Sequence, residues 1–213
     1  MDVTIVGAGN MARGLGARFL AGGHAVTVAS RSAERAESAV AELASGPRAR
    51  SADVRVGTPG RVQGDILVLA VPYPATLAVM ASLGSSVEGR VVVDISNPVD
   101  WNRMERSIPA DTSAAEQLAA VSAGARVVKA FNTVFSPTLA RGVAGDVAVD
   151  VFVAGDNVDA KDMVGALVRD GGMRALDVGP LVRARELEAL GYLGIMMQEP
   201  LGLGFRSGWK LVS

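Results

Sequence analysis

At 213 residues the chain can bury a substantial core, which suits one domain or one and a half. Hydrophobic residues at 49% and charged residues at 20% exclude disorder, and a net charge of −1 leaves no overall field for nucleic acid or an anionic membrane, so a small molecule is the expected partner. Zero cysteines exclude disulfides, thiolate catalysis and Cys-based metal sites, and a single histidine excludes a His-rich one, so no metal is expected.

No apolar run reaches the roughly 18 residues that span a bilayer, and Met1 sits almost on the first predicted strand. A cytoplasmic location without a signal peptide is therefore expected. The runs "DVTIVG", "AVTVAS", "DILVLAVP", "RVVVDIS", "ARVVKAF", "VDVFVAG" and "MRALDVG" are continuous and apolar, as strands covered on both faces are. They alternate with helical patterns, predicting an α/β fold with a parallel sheet. Between the first two runs Ala12, Leu15, Gly16, Phe19 and Leu20 form a helical stripe. "SAERAESAVAEL" reads as a second helix with Ser32 as its N-cap. Residues 45–64 read as surface connection with at most one short strand near Val54. "DWNRMERSIPADTS" reads as an irregular candidate loop over the site, followed by a helix in "SAAEQLAAVSAG". Beyond "FNTVFSP" the pattern is strand, helix, strand and an apolar C-terminal helix from about Leu181 to Met197.

Gly7, Gly9 and Ala12 spell G-x-G-x-x-A between a strand and a helix. Gly7 permits the tight turn, Gly9 the approach of backbone to a pyrophosphate and Ala12 close helix packing, while the helix N-terminus offers free N–H groups and a positive dipole end. About 20 residues on, an NAD site would carry an acidic residue; here Ser30, Arg31 and Ser32 close the second strand, suited to a 2′-phosphate. NADP is expected over NAD, with Arg35 as a weaker helper. Ligands of such sheets bind beyond the carboxyl ends of the strands. Three of those ends are unusual: Ala70, Val71, Pro72, Tyr73 and Pro74; Ile95, Ser96, Asn97 and Pro98; and Ala130, Phe131, Asn132 and Thr133. The prolines would hold rigid backbone beside a nicotinamide, Tyr73 and Phe131 would line the ring, and Asn97, Asn132 and Thr133 would bond its carboxamide. Taken singly each reads as a turn proline, a core aromatic or an Asx turn; together they read as a site.

"TIVGAGNMARGLGARF", "ASRS", "LVLAVPY", "VVVDISNP", "SAAEQLA", "RVVKAFNT", "VFVAGDNVDAKDMV", "LDVGPL" and "FRSGWKLV" together resemble the NADPH-dependent reductases of coenzyme F-420 (F420), also called F420-dependent NADP oxidoreductases. The resemblance runs nearly end to end. It implies an α/β, Rossmann-type domain with a doubly wound, mostly parallel sheet over 1–134, a small C-terminal α/β part over 135–213 holding the acceptor site and dimer contacts, a homodimer, and hydride transfer between NADP(H) and a 5-deazaflavin co-substrate. It maps phosphate contacts onto Gly7, Gly9, Asn10 and Met11, 2′-phosphate contacts onto Ser30, Arg31 and Arg35, and nicotinamide contacts onto Val71, Pro72 and the region of Asn97. The same fold serves membrane metalloreductases, which also carry a transmembrane heme domain.

No protein acid, base or nucleophile is expected, because hydride transfer needs orientation above all. His24 sits at the strand edge opposite the site, and Lys129 reads as a strand lysine that snorkels or pairs with Asp94 in preference to a catalytic role. Leu187, Leu190, Leu193, Ile195, Met196 and Met197 read as an acceptor-site or dimer surface, with Phe205 and Trp209 over the ring and Arg206 or Lys210 meeting the acceptor's acidic tail. The rival readings are reduction of a flavin, ferric iron or a small carbonyl or imine, and a non-catalytic NADP sensor. Against a hydroxy-acid dehydrogenase, Lys161 is followed four residues on by Gly165 where those relatives carry Asn.

Overall fold

The computed structural model describes residues 1–46, 53–58, 60–61, 63–122 and 124–212. The expected surface connection at 45–64 thus lies partly outside the described residues. In chain order the elements are β1 (Asp2–Val6), α1 (Asn10–Ala21), β2 (Ala25–Ala29), α2 (Ala33–Ala44), β3 (Val54–Gly57), β4 (Ile66–Leu69), α3 (Ala75–Leu83) and β5 (Val91–Asp94). A hairpin of β6 (Val99–Asp100) and β7 (Glu105–Arg106) follows, then α4 (Ala114–Val121), β8 (Arg126–Lys129) and α5 (Ser136–Arg141). After a second hairpin of β9 (Val143–Ala144) and β10 (Val147–Ala148) come β11 (Asp150–Gly155), α6 (Val158–Asp170), β12 (Arg174–Gly179) and α7 (Ala184–Met196).

One eight-stranded sheet runs β12-β11-β8-β5-β4-β1-β2-β3, parallel throughout except where β11 meets β8. All seven apolar runs are strands of this sheet. It is doubly wound: β1 opens the chain mid-sheet, β2 and β3 step to one side, and β4, β5 and β8 to the other. The strand order therefore reverses between β1 and β4, where a crevice opens beyond the carboxyl ends. One side of the sheet buries Ile5, Leu15, Phe19, Val68 and Leu167 under α1, α2 and α6. The other buries Leu67, Leu69, Met80, Val92 and Leu118 under α3 and α4. Every residue of β4 and β5 is buried, which is why their sequences do not alternate.

Ser32 caps α2 as expected, accepting the Arg35 N–H at 3.2 Å; Ser113 and Asn157 do the same for α4 and α6. "DWNRMERSIPADTS" is not wholly irregular, since β6 and β7 pair within it. Helices α3 and α5 and the β9–β10 hairpin were not anticipated from the sequence.

The C-terminal tail is pinned to the sheet. The Asp150 side chain is fully buried and accepts from Arg174 at 2.9 and 2.7 Å, Lys210 at 2.6 Å and the Leu211 N–H at 2.8 Å. This corrects the expected role of Lys210: its ammonium is committed to Asp150 and to the Ala148 carbonyl. Burial alone would raise the Asp150 pKa, but the Arg174 and Lys210 bonds outweigh it and hold it below its ordinary 3.8. A depressed carboxyl stabilises the fold above its unfolded pKa, and that contribution disappears as pH falls through the folded value. Asp150→Asn is expected to cost about 1–2 kcal/mol at pH 7, because solvent screens the part-exposed cations. In urea unfolding the gap to wild type should close once the buffer is well below pH 3.8.

Candidate functional site

The loop from β1 to α1 is wedged between neighbouring strand ends. Gly7 has φ +123° and donates its N–H to the Ala29 carbonyl at 2.8 Å, and a Cβ on it would lie 2.2 Å from the Ala70 oxygen. Gly9, the N-cap of α1, differs: a Cβ there would meet no atom within 4 Å. Unlike α2, α4 and α6, α1 receives no side-chain cap among the described residues, and its first turn has no acidic residue. The start of α1 is thus uncapped beside exposed Asn10, with Met11 half-buried and Ala12 packed into the core. A pyrophosphate fits this chemistry, since free donors and a positive helix end meet negative charge where backbone approach is unobstructed.

At the end of β2, Ser30 Oγ accepts the Ser32 N–H at 3.3 Å, and Ser32 Oγ is engaged in the α2 cap. Arg31 and Arg35 are exposed and form no ion pair among the described residues. The loop after β2 and the first turn of α2 thus carry one guanidinium group each beside a helix start.

The other strand ends lie along the same sheet edge. After β4, Ala70, Val71 and Tyr73 are half-buried, Pro72 and Pro74 are exposed, and the Tyr73 hydroxyl donates to Gln117 Oε1 of α4 at 2.6 Å. Burial, then the charges of Glu188 and Asp94, raise the Tyr73 pKa above 10.0, so the phenol keeps its proton. After β5 and β8, Asn97 and Asn132 clasp each other. Asn97 Nδ2 donates to the Asn132 carbonyl at 2.7 Å, and Asn132 Nδ2 donates to Asn97 Oδ1 at 2.9 Å. Two buried polar atoms here, Ser96 Oγ and Asn132 Oδ1, have no hydrogen-bond partner among the described residues. Pro98, Ala130 and Thr133 are buried around the clasp. The Phe131 side chain does not line the ring site as expected. Its φ of +62° turns the ring into the core, fully buried edge-on against Phe19 with centroids 5.9 Å apart, so only its backbone belongs to the strand end.

Beneath these ends lies a buried ion cluster larger than a Lys129–Asp94 pair. Lys129 Nζ contacts Asp94 at 2.7 Å, as expected, and also Glu188 of α7 at 2.7 Å, with all three side chains buried. Burial alone would lower the Lys129 pKa, but Asp94 and Glu188 overcome it and raise it. Burial pushes Glu188 up against the pull of Lys129. The signal for Glu188 was present: Ala184, Leu187, Glu188, Gly191 and Ile195 form one buried stripe, and a carboxylate within such a stripe demands a partner.

His24 precedes β2 at the opposite edge, 3.2 Å from Asp170 and 3.3 Å from the N-terminal amine. Burial chiefly lowers its pKa. Phe205 stacks edge-on against Phe135 at 5.2 Å, Trp209 packs near Gly194, and Arg206 stays exposed. The segments "AGDNVDAK" and "LDVGPL" meet: Lys161 pairs with Asp177 at 2.8 Å and Asp156 accepts the Leu181 N–H at 2.9 Å. A groove of about 630 Å³ between α1, α2 and α5 reaches Asn10 but none of the ring-side residues. Among the described residues no helix is long and apolar enough to cross a membrane, and no cluster of His, Asp or Glu could hold a metal ion.

The family profile described as NADP oxidoreductase, coenzyme F420-dependent, matches residues 2–98. The chain is 31% identical over 200 residues to the F420-dependent NADP reductase of Methanothermobacter marburgensis, covering 89% of each. It is 32% identical over 188 residues to the rat metalloreductase STEAP3, covering 88% of this chain but only 36% of that relative's length. In fold it superposes with a TM-score of 0.81, at 24% identity and 99% coverage of both chains, on the crystal structure of a candidate F420-dependent NADP-reductase from Arthrobacter sp. FB24. Identity at this level over nearly the whole of a reductase of similar length makes the chain a member of the F420-dependent NADP reductase family, and so an NADP oxidoreductase.

Proposed function

We propose that this oxidoreductase transfers a hydride directly between NADP(H) and the deazaflavin coenzyme F420. The observation that carries the cofactor half is the paired glycine geometry, with Gly7 jammed against Ala70 and Gly9 open before an uncapped helix. The F420 half rests on kinship with the F420-dependent NADP reductases. When bound, the dinucleotide and the deazaflavin supply the redox chemistry themselves. The chain's part is to hold them. Gly7, Gly9, Asn10, Met11 and Ala12 cradle the pyrophosphate; Ser30, Arg31, Ser32 and Arg35 read the 2′-phosphate. Val71, Pro72, Tyr73 and the turn at Ser96–Pro98 border the nicotinamide, beside the buried Ser96 Oγ and Asn132 Oδ1, which have no partner among the described residues. Correct placement of two reactants can remove about 7–11 kcal/mol of a barrier without any acid or base.

Arg31 gives the test of cofactor choice. Arg31→Ala is expected to weaken NADPH by about 1–3 kcal/mol through loss of a charge-assisted contact, and NADH far less. Equal losses in parallel titrations would show that Arg31 does not read the 2′-phosphate.

In this reading residues 1–134 bind NADP and 135–213 complete the acceptor side, in a cytoplasmic homodimer. Trp101, Met104 and Leu193 are exposed apolar residues, and Tyr192 joins their two segments by donating to the Met104 carbonyl at 2.9 Å, a surface suited to a second copy. A second reading, reduction of a flavin or ferric iron, draws on the similarity to STEAP3. Assays with F420, FMN and ferric chelates under one NADPH concentration separate the two.

A further inference from the structure

Each proton of the Lys129 ammonium is spent. Nζ donates to Asp94 Oδ2 at 2.7 Å, the Ser96 carbonyl at 2.6 Å and Glu188 Oε1 at 2.7 Å. Asp94 Oδ1 accepts the Ser96 N–H at 3.0 Å. The cluster therefore holds both backbone groups of Ser96, on the turn that carries Asn97 and Pro98. Glu188 extends this grip to α7. Its oxygens face three donors: Lys129 Nζ and the Ala114 and Ala115 N–H groups at 3.1 and 3.4 Å. Two carboxylates against one ammonium leave a surplus negative charge, which meets the positive first turn of α4. Helix α7 also touches the clasp directly. Asn132 Nδ2 donates to the Leu187 carbonyl at 2.8 Å, and a Cβ on Gly191 would fall 2.5 Å from Asn97 Oδ1.

An apolar trio could hold the same strands and helix together, often with no loss of stability. It could not fix the peptide groups on either side of Ser96. We infer that Asp94, Lys129 and Glu188 position the Ser96–Pro98 turn, and that Glu188 is the positioning residue through which α7 sets the orientation of the nicotinamide ring. This rests on the reading of that turn as the ring site.

The test uses Glu188→Gln in the full chain. Glutamine keeps the shape but has one acceptor, so its amide N–H₂ must face Lys129 or the start of α4. NADPH is titrated while protein fluorescence reports affinity and nicotinamide fluorescence anisotropy reports how tightly the ring is held. Affinity should stay near wild type, because the phosphate contacts are untouched. Ring anisotropy should drop, and kcat with F420 should fall about tenfold or more with little change in KM for NADPH, as misplaced rings demand. Glu188→Asp keeps two acceptors on a shorter stem and should recover part of both signals. Gly191→Ala pushes α7 from Asn97 without altering charge and should show the same signature, which covers the case of a Gln variant that does not fold. Folded variants with wild-type anisotropy and kcat would overturn the inference while leaving the cofactor reading intact. A wild-type chain that fails to immobilise the NADPH ring would overturn that reading, and the inference with it.

Discussion

Gly7→Ala should lower the unfolding free energy by about 2–6 kcal/mol, a large share of the roughly 5–15 kcal/mol that holds a domain together. At φ +123° an L-residue carries backbone strain of about 1–3 kcal/mol, and the Cβ meets the Ala70 carbonyl oxygen at 2.2 Å, an overpacking cost of similar size. That oxygen belongs to backbone next to β4, whose residues are wholly buried, so it cannot swing aside. Gly9→Ala is the control. Its φ of −84° suits alanine and its Cβ direction is empty, so stability should change by less than about 1 kcal/mol while NADPH binding weakens sharply. Denaturant unfolding and NADPH titration on both variants check the pair. If Gly9→Ala binds NADPH normally, the open space in front of α1 is not where the pyrophosphate lies.

Lys129→Met is expected to cost about 3–5 kcal/mol at pH 7, since it leaves the buried carboxylates of Asp94 and Glu188 without their cation. The penalty should shrink in acid. A carboxyl raised above its unfolded pKa binds more protons in the folded state, so the variant gains stability relative to wild type as pH falls through the raised value. Burial already raises Glu188 with Lys129 present, and removing the lysine can only raise it further. Guanidinium unfolding at pH 7.5 and pH 5 reads this directly. A gap that stays constant with pH would mean that the cluster's charges do not matter to the fold.

Much of the sheet was legible because strands covered on both faces must be apolar throughout, and β1, β2, β4, β5, β8 and β11 are such runs. The turn from β1 into α1 was legible because its pattern is local: three small residues between one strand and one helix. What escaped was set at long range or by a single backbone angle. Phe131 follows a strand and reads as a ring-lining aromatic, but a positive φ sends it into the core. Lys210 has the charge to meet an acidic substrate, yet Asp150, sixty residues earlier in the chain, already holds it. Glu188 lies 59 residues from Lys129, a pairing that no local pattern encodes. Helix α3, "ATLAVMASL", is apolar on all sides and shows no stripe to mark it as a helix.

Direct hydride transfer on a positioning scaffold is open to one decisive measurement, with NADPH deuterated at its transferable position and followed in single turnovers with F420. The label is expected to appear on the reduced deazaflavin without exchange into solvent, and His24→Ala to keep most of the wild-type rate, since His24 stands at the far edge, 3.2 Å from Asp170. Loss of label to water, or collapse of the rate in a folded His24→Ala protein, would contradict it.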